Sequence, residues 1–279
     1  MSDSSSSSLA SLLNPWRIAV TTWGHRDLLW QFTLREIHAR HKGSQLGIFW
    51  TLLNPLSMLA LYGFVFGVLF QSKSATESTY DFILSMFLGL SLFRVVSETL
   101  GAAPSLIVSN QNFVKKVVFP LEILPLAKVG DATFHLLVSL VLIVVGSAFG
   151  TNGLSWGVLW LPILIAPLLM LSLGIGWILA ACGVFLRDIN QAIGFLITAV
   201  MFASAVPFSA STIRQAPQIW AVLKFNPLLQ IIDQTRSALF WHQPIDGMKL
   251  GYVYAVCLTL LLVGHACFGV LRRSFAEVI

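Results

Sequence analysis

Six runs of apolar residues, most of them about as long as a bilayer is thick, order this chain. They cover residues 46–70, 82–108, 122–149, 158–186, 191–207 and 250–271, and a helix needs about 20 such residues to cross a ~30 Å hydrocarbon core. The first run is free of charge and is interrupted by Asn54-Pro55, where proline removes a backbone donor and predicts a kink. The second carries Arg94 and Glu98, and the third Lys128, Asp131 and His135; the fourth has Pro162 and Pro167 near its start, and the fifth fades around Pro207. The pattern predicts an all-α integral membrane bundle of six transmembrane helices within residues 46–273.

Two further segments fit neither span nor loop. Gln31, Arg35, His38 and Lys42 recur at i, i+4, i+7 and i+11, beside an apolar stripe of Trp30, Leu34 and Ile37. This predicts an amphipathic helix within 25–45 lying on the membrane surface, its basic side toward anionic headgroups or an acidic partner. Residues 208–249 hold Arg214, Lys224, Asp233, Arg236 and Asp246, too polar to cross and too apolar for a free loop. Asn226-Pro227 reads as a helix start, with asparagine capping orphan N–H groups and proline at the first helical position. Two short half-inserted helices broken there, an outer re-entrant pair, are expected; such backbone survives at membrane depth only inside protein or along a cavity. Residues 1–24 read as a disordered or peripheral tail, serine-rich at 2–8, and 274–279 as a second short tail. With no basic segment at the start, no cleaved signal peptide is expected.

Composition narrows the class. Of 279 residues, 56% are hydrophobic and 10% charged, with a mean hydropathy of +0.81; a soluble domain carries about a quarter charged residues. The net charge of +5 sits in short loops, which points to membrane topology and away from nucleic acid. Arg17, Arg26, Arg35, Arg40 and Lys42 precede the first span, Lys115 and Lys116 follow the second, Arg187 the fourth, and Arg272 and Arg273 the sixth. The short loops of the opposite side hold only Lys73, so both termini are expected in the cytoplasm. Cys182, Cys257 and Cys267 all lie in apolar runs, without disulfide or metal spacing. His38-Ala39-Arg40-His41 lacks the glutamate and third ligand of a zinc site, so no metal is expected. No G-x-x-x-x-G-K-[ST] phosphate loop occurs, so this chain is not expected to hydrolyse ATP. Gly63-x-x-x-Gly67, Gly146-x-x-x-Gly150 and Gly153-x-x-x-Gly157 match a helix-packing spacing that arises easily among 20 glycines.

The charges inside spans say more, because an ion in hydrocarbon needs a partner or water. Arg94 and Glu98 are i,i+4 neighbours, and antiparallel second and third spans put Glu98 at a depth close to that of Lys128 and Asp131. A buried cross-helix pair, Glu98 with Lys128, is the expected arrangement. Asp131 and His135, also i,i+4, leave a proton relay open, and with it a proton-coupled secondary carrier. A non-transporting membrane scaffold is the third reading.

The string Arg35-Glu36-Ile37 … Arg40-His41-Lys42-Gly43-Ser44-Gln45-Leu46-Gly47 … Trp50 … Asn54-Pro55 resembles the opening of a known family. It looks like the permease subunit of ABC exporters that move O-antigen, capsular polysaccharide or teichoic acid. The stretch from Asn112 through Lys115-Lys116-Val117-Val118-Phe119-Pro120 to Pro125 resembles that family's loop between spans two and three. Arg187-Asp188-Ile189, and Phe225-Asn226-Pro227 followed by Arg236, are similar to two further landmarks, in the family's order. His41, Leu121 and Val206 depart from it, standing where tyrosine, arginine and serine are usual.

The resemblance implies a homodimeric permease in the inner, cytoplasmic membrane, itself no enzyme, paired with a separate cytoplasmic ATPase that holds ATP and Mg. Its substrate would be a lipid-linked polysaccharide or glycolipid. Arg35, Arg40 and Lys42, with Asn112, Lys115, Lys116, Phe119, Pro120 and Glu122 in and beside the 109–121 loop, and Arg187 and Asp188, would touch the ATPase. Trp50, Tyr62, Phe66, Phe208, Trp220, Phe225, Asn226, Pro227 and Arg236 would line or gate a channel. Tyr80, Trp156, Trp160, Trp220, Trp241, Tyr252 and Tyr254 cluster toward the outer face. Part of that is the ordinary aromatic belt, though aromatic faces also suit the C–H faces of sugars. From the charge asymmetry, reporter fusions after Arg273 and within 148–156 are expected to report opposite compartments; a cytoplasmic signal from the second would sink the six-span topology.

Overall fold

In a computed structural model, residues 20, 22–65, 78–115, 119–150, 153–208 and 210–278 are described, with backbone alone at 211, 212 and 276. Phe66, Gly67, Lys73, Lys116, Val117, Val118 and most of the N-terminal tail lie outside the described residues. Those described form helices and no strand. Surface helix α1 (Arg26–Arg40) is followed by α2 (Trp50–Tyr62), α3 (Thr79–Ser109), the short α4 (Gln111–Val114) and α5 (Ile123–Ser147). Then come α6 (Leu161–Phe185), α7 (Ile189–Ala203), α8 (Ala210–Arg214), α9 (Pro217–Leu223), α10 (Pro227–Phe240), α11 (Gly247–Leu271) and α12 (Phe275–Val278).

Five helical stretches are long and apolar enough to cross a membrane: Gly47–Val65, Thr79–Ser109, Ile123–Ser147, Trp156–Phe185 and Gly247–Ser274. They coincide with five of the six predicted runs. The remaining run is α7, only 15 residues long, or ~22 Å at 1.5 Å per residue. The chain leaves it through a buried turn, Ser204 to Val206, with Ala205 at φ 51°. Helix starts follow the capping rules. Ser78 accepts from the Asp81 N–H, Asn226 from those of Leu228 and Leu229, and Asp246 from those of Met248 and Lys249. The predicted break at Asn226-Pro227 is present, separating α9 from α10.

The centre of the bundle is α3: 72% of its most apolar stretch is buried, against 11% for α2, which leaves most of its apolar surface outside the protomer. Around α3 pack α5, α6, α7 and α10, and α11 lies along α6. Helices meet closely at Gly157, which the predicted spacing picks out, and at Gly174, Gly183 and Gly264, which it does not. A Cβ on Gly174 of α6 would stand 2.6 Å from the Leu260 carbonyl of α11, and one on Gly264 would strike the Gly174 carbonyl. Gly63 by contrast faces open space. Small residues allow such approach, which in lipid must rest on packing because apolar burial between helices gains little there.

The surface helix lies against α5, with Ile37 buried and Thr33 over Gly130. Its apolar stripe is buried only at the Ile37 end, since Trp30 is 63% exposed. Lys42 falls beyond the helix, in the turn after His41. Gly264→Val is expected to cost about 1–3 kcal/mol by overpacking, read as a lower melting temperature in detergent. Gly251→Val on the same helix, with nothing within 4 Å of its Cβ, is expected to leave it unchanged.

Candidate functional site

Where α1 ends, three cations meet three carboxylates. The Arg40 guanidinium turns into the bundle and donates to Glu98 from both terminal nitrogens, at 2.9 and 2.7 Å, and to Asp131 Oδ2 at 2.8 Å. Glu98 also accepts from Arg94 Nε at 2.6 Å. Lys128 donates to the same Asp131 oxygen at 3.1 Å and lies 3.6 Å from Glu36 of α1. Asp131 is 0% exposed, so each of these partners offsets a desolvation that the carboxylate could not bear alone. The hydrogen bond to Glu98 holds the Arg40 guanidinium above its ordinary range.

This corrects two expectations. Glu98 does not pair with Lys128: Arg40 stands between the carboxylates of α3 and α5, and Lys128 serves Asp131 and Glu36. A planar guanidinium fork can bridge two carboxylates on different helices, which a single ammonium does poorly. Arg40, expected on the ATPase-facing side, is only 23% exposed in its side chain and faces inward. The sequence did hold a signal for this. Thr33, Ile37 and Arg40 fall at i, i+4 and i+7, so Arg40 shares the buried face of α1 and not the Arg35 stripe.

Two histidines extend the junction. His41 Nε2 lies 3.0 Å from Thr51 Oγ1 of α2, and its ring is 6.0 Å from that of His135. Burial, with His135 nearby, pushes the His41 imidazole below its usual range. His135 Nε2 sits 3.3 Å from Asp131 Oδ1 without the alignment of a hydrogen bond.

The other described residues expected to meet an ATPase lie at this same end. Arg35 is exposed, stacked over Phe32 at 4.4 Å and bonded to Asn110 Oδ1. Phe32, Phe113 and Phe119 form one cluster, with Phe113 and Phe119 stacked at 4.6 Å, so Phe119 braces the loop against α1 and does not stand free. Asn112, Lys115, Arg187 and Asp188 are exposed, and Pro120 is half-buried. Glu122 is held by Arg272, while its carbonyl accepts from Trp177 Nε1 at 3.3 Å, fixing the loop to the ends of α6 and α11.

At the opposite end, Arg236 is 3% exposed. It donates to the carbonyls of Ser85, Ala205, Phe208 and Val206 at 2.7–3.0 Å. A Cβ on Gly89 would collide with this guanidinium, so the glycine makes the space it occupies. The arginine thereby answers the turn that ends α7 and fixes how α10 rolls against α3. Asn226 joins the same turn, donating to the Ala203 carbonyl and Ser204 Oγ. Among the residues expected at a gate, the structure brings Phe208, Asn226, Pro227 and Arg236 together here. Phe225 is exposed beside Tyr252, and Trp220 is half-buried under Arg214. Trp50 and Tyr62 stay on α2, Trp50 bonded to Ser44, and Phe66 is not described.

Arg40→Met leaves two carboxylates short of a cation and is expected to cost on the order of 3 kcal/mol. The check is folded yield and melting temperature in detergent; Arg40→Met with Asp131→Asn is expected to recover part of the loss. Strictly additive losses would show that Arg40 and Asp131 are not coupled.

Comparison with known proteins agrees with this architecture. The chain is 30% identical over 264 residues to the O-antigen export system permease protein RfbA of Myxococcus xanthus, covering 94% of this chain and 99% of that one. It is 25% identical over 256 residues to the protein of the same name from Klebsiella pneumoniae, with 91% and 95% covered. To the polysialic acid transport protein KpsM of Escherichia coli it is 26% identical over 241 residues, covering 84% and 90%. Residues 27–240, from the surface helix through α10, match the family described as ABC-2 type transporter; this multi-pass chain belongs to that family of ABC transporter membrane proteins.

Proposed function

We propose that this chain is the membrane-spanning half of an ATP-driven exporter of cell-surface polysaccharide, working as a homodimer with a separate ATPase that holds ATP and Mg. The observation that carries the reading is the face formed by Arg35, Asn112, Lys115, Arg187 and Asp188, exposed together at the end where Arg40 ties α1 to α3 and α5. Such a face can receive a partner's movement and pass it to the spans. The names of the relatives, O-antigen and polysialic acid transport, supply the substrate class. A lipid-linked glycan is the form we infer for it.

The chain lies in the inner membrane with both termini in the cytoplasm, as the basic residues require. It crosses six times, α7 forming the fifth crossing together with the buried turn that Arg236 satisfies. The half-inserted pair α9 and α10 then lies in the outer half of the membrane. Dimerisation suits α2, whose apolar surface has few partners within one protomer. The proton-coupled carrier keeps one supporting feature, the approach of His135 to Asp131; against it, Arg40 and Lys128 already answer that carboxylate.

Co-purification tests the reading. Lys115→Glu is expected to weaken recovery of the ATPase several-fold, more at low salt because rim charges are screened, and to lower glycan export in parallel. Intact recovery and export would remove the loop from the docking face. If no ATPase accompanies the wild type, the exporter reading falls and the carrier moves ahead.

A further inference from the structure

At the end of the bundle opposite α1, the last turns of α10, the 242–246 link and the start of α11 surround a pocket of about 320 Å³. That volume lies within the range of small-molecule sites, ~300–1,000 Å³. Its walls are unusual for a membrane protein, being mostly polar around one indole, Trp241. Along α10 and its C-cap, Asp233, Gln234 and Trp241 share an arc of about 100° at 3.6 residues per turn. Arg236 lies outside that arc, so its carbonyl bonds fix α10 with the other face turned to the pocket.

The charges in the wall cancel. Arg214 pairs with Asp233 at 2.6 Å and Lys249 with Asp246 at 3.2 Å, two cations against two anions. The pocket therefore offers no surplus cation to an acidic ligand. It still offers hydrogen-bonding capacity, because an ammonium has three donors, a guanidinium five and a carboxylate about four acceptor sites, and each pair uses only part of these.

Gln234 carries the argument further. It is 7% exposed and lines the pocket, and among the described residues neither its amide oxygen nor its amide nitrogen has a hydrogen-bond partner. Among the described residues, only the Asp131–His135 contact leaves comparable atoms elsewhere. A buried amide without partners is a loss the fold does not recover, and natural proteins seldom keep one idle. Both amide atoms are closed off from water as the chain stands, so they reach the pocket only by rotation of the side chain. Turned there, an amide beside paired charges can serve both donors and acceptors of a hydroxylated ligand, and a half-buried indole can take the C–H face of a ring.

We propose that this pocket binds a neutral pyranose unit, a hexose or an N-acetylhexosamine, of the exported glycan. Trp241 packs on the ring, Gln234 turns its amide into the pocket to pair with adjacent hydroxyls or an acetamido group, and Asp233 and Asp246 accept from the remaining hydroxyls. The balanced charge selects against uronic and other acidic sugars. The proposal rests on the glycan-export reading and adds to it the sugar class and its place.

The test uses the full chain in nanodiscs, probed by saturation-transfer NMR with methyl glycosides of glucose, galactose, mannose and N-acetylglucosamine, and with methyl glucuronide as the acidic comparator. At least one neutral glycoside is expected to bind, with the glucuronide roughly tenfold weaker, as the lack of a free cation requires. Gln234→Leu is expected to weaken binding about tenfold while leaving the melting temperature unchanged or higher, since no protein partner of the amide is lost. Trp241→Ala is expected to abolish binding; Trp241→Phe, which keeps an aromatic face, retains part and serves if the alanine variant does not fold. Absence of binding by every neutral glycoside, equal binding of the glucuronide, or a Gln234→Leu chain that binds normally and melts lower each overturns the proposal. Surface-glycan export by cells carrying the wild type is measured in parallel. If export proceeds and no glycoside binds, the pocket falls and the export reading stands; if no glycan is exported, the reading falls and takes the pocket with it.

Discussion

Arg40 is the residue through which the surface helix reaches the charges of two spans, and most of the architecture near it follows from electrostatic necessity. Glu98 and Asp131 sit on separate helices, and Asp131 has no exposure to water. Neither could remain ionised there without a cation, and the bundle's own Arg94 and Lys128 answer only part of the need. The guanidinium at the end of α1 completes the account of charge and fixes α1 against α3 and α5 in the same act. Thr33 over Gly130 and the Glu36–Lys128 pair then set the helix's roll. A helix held by a bridged pair of buried carboxylates cannot move without taking α3 and α5 with it.

The same helix α3 is held at its other end by a second arginine with a different task. Arg236 binds no carboxylate among its closest partners; it satisfies four carbonyls where α7 stops and the chain turns inside the bundle. Irregular backbone at that depth needs such a donor. Between Ser85 and Glu98, thirteen residues of unbroken helix, ~20 Å long, join the junction under α1 to the anchor of α10. The two ends of the protein are thus mechanically continuous through one well-buried rod. The pocket between α10 and α11 inherits its shape from this anchor, because the roll of α10 decides which side chains face α11.

Close packing completes the frame. Gly174 against Gly264 lets α6 and α11 approach to backbone contact, and Gly183 does the same against the Pro104 carbonyl of α3. These contacts stiffen the side of the bundle away from α2. The latter keeps most of its apolar surface outward.

Hydropathy and capping residues determined the all-helical membrane class, the positions of five helices long and apolar enough to cross a membrane and the break at Asn226-Pro227, because bilayer thickness and capping act locally on a few consecutive residues. Charge placement also marked Glu98, Lys128 and Asp131 as needing partners, since burying an ion is costly wherever it happens. Which partners they found was decided by tertiary structure. Arg40 lies 58 residues from Glu98 and 91 from Asp131, and no periodicity links them. Only its helical phase with Thr33 and Ile37 hinted at the inward face. Arg236 likewise read as a polar landmark of a half-inserted segment, expected at a gate, until the fold set it against carbonyls 28 to 151 positions away. Gly174 and Gly264 fit no spacing rule, because close approach belongs to two helices at once. Local sequence fixes what a segment can be; which charge, carbonyl or backbone it meets depends on contacts between distant segments, and those exist only in the folded chain.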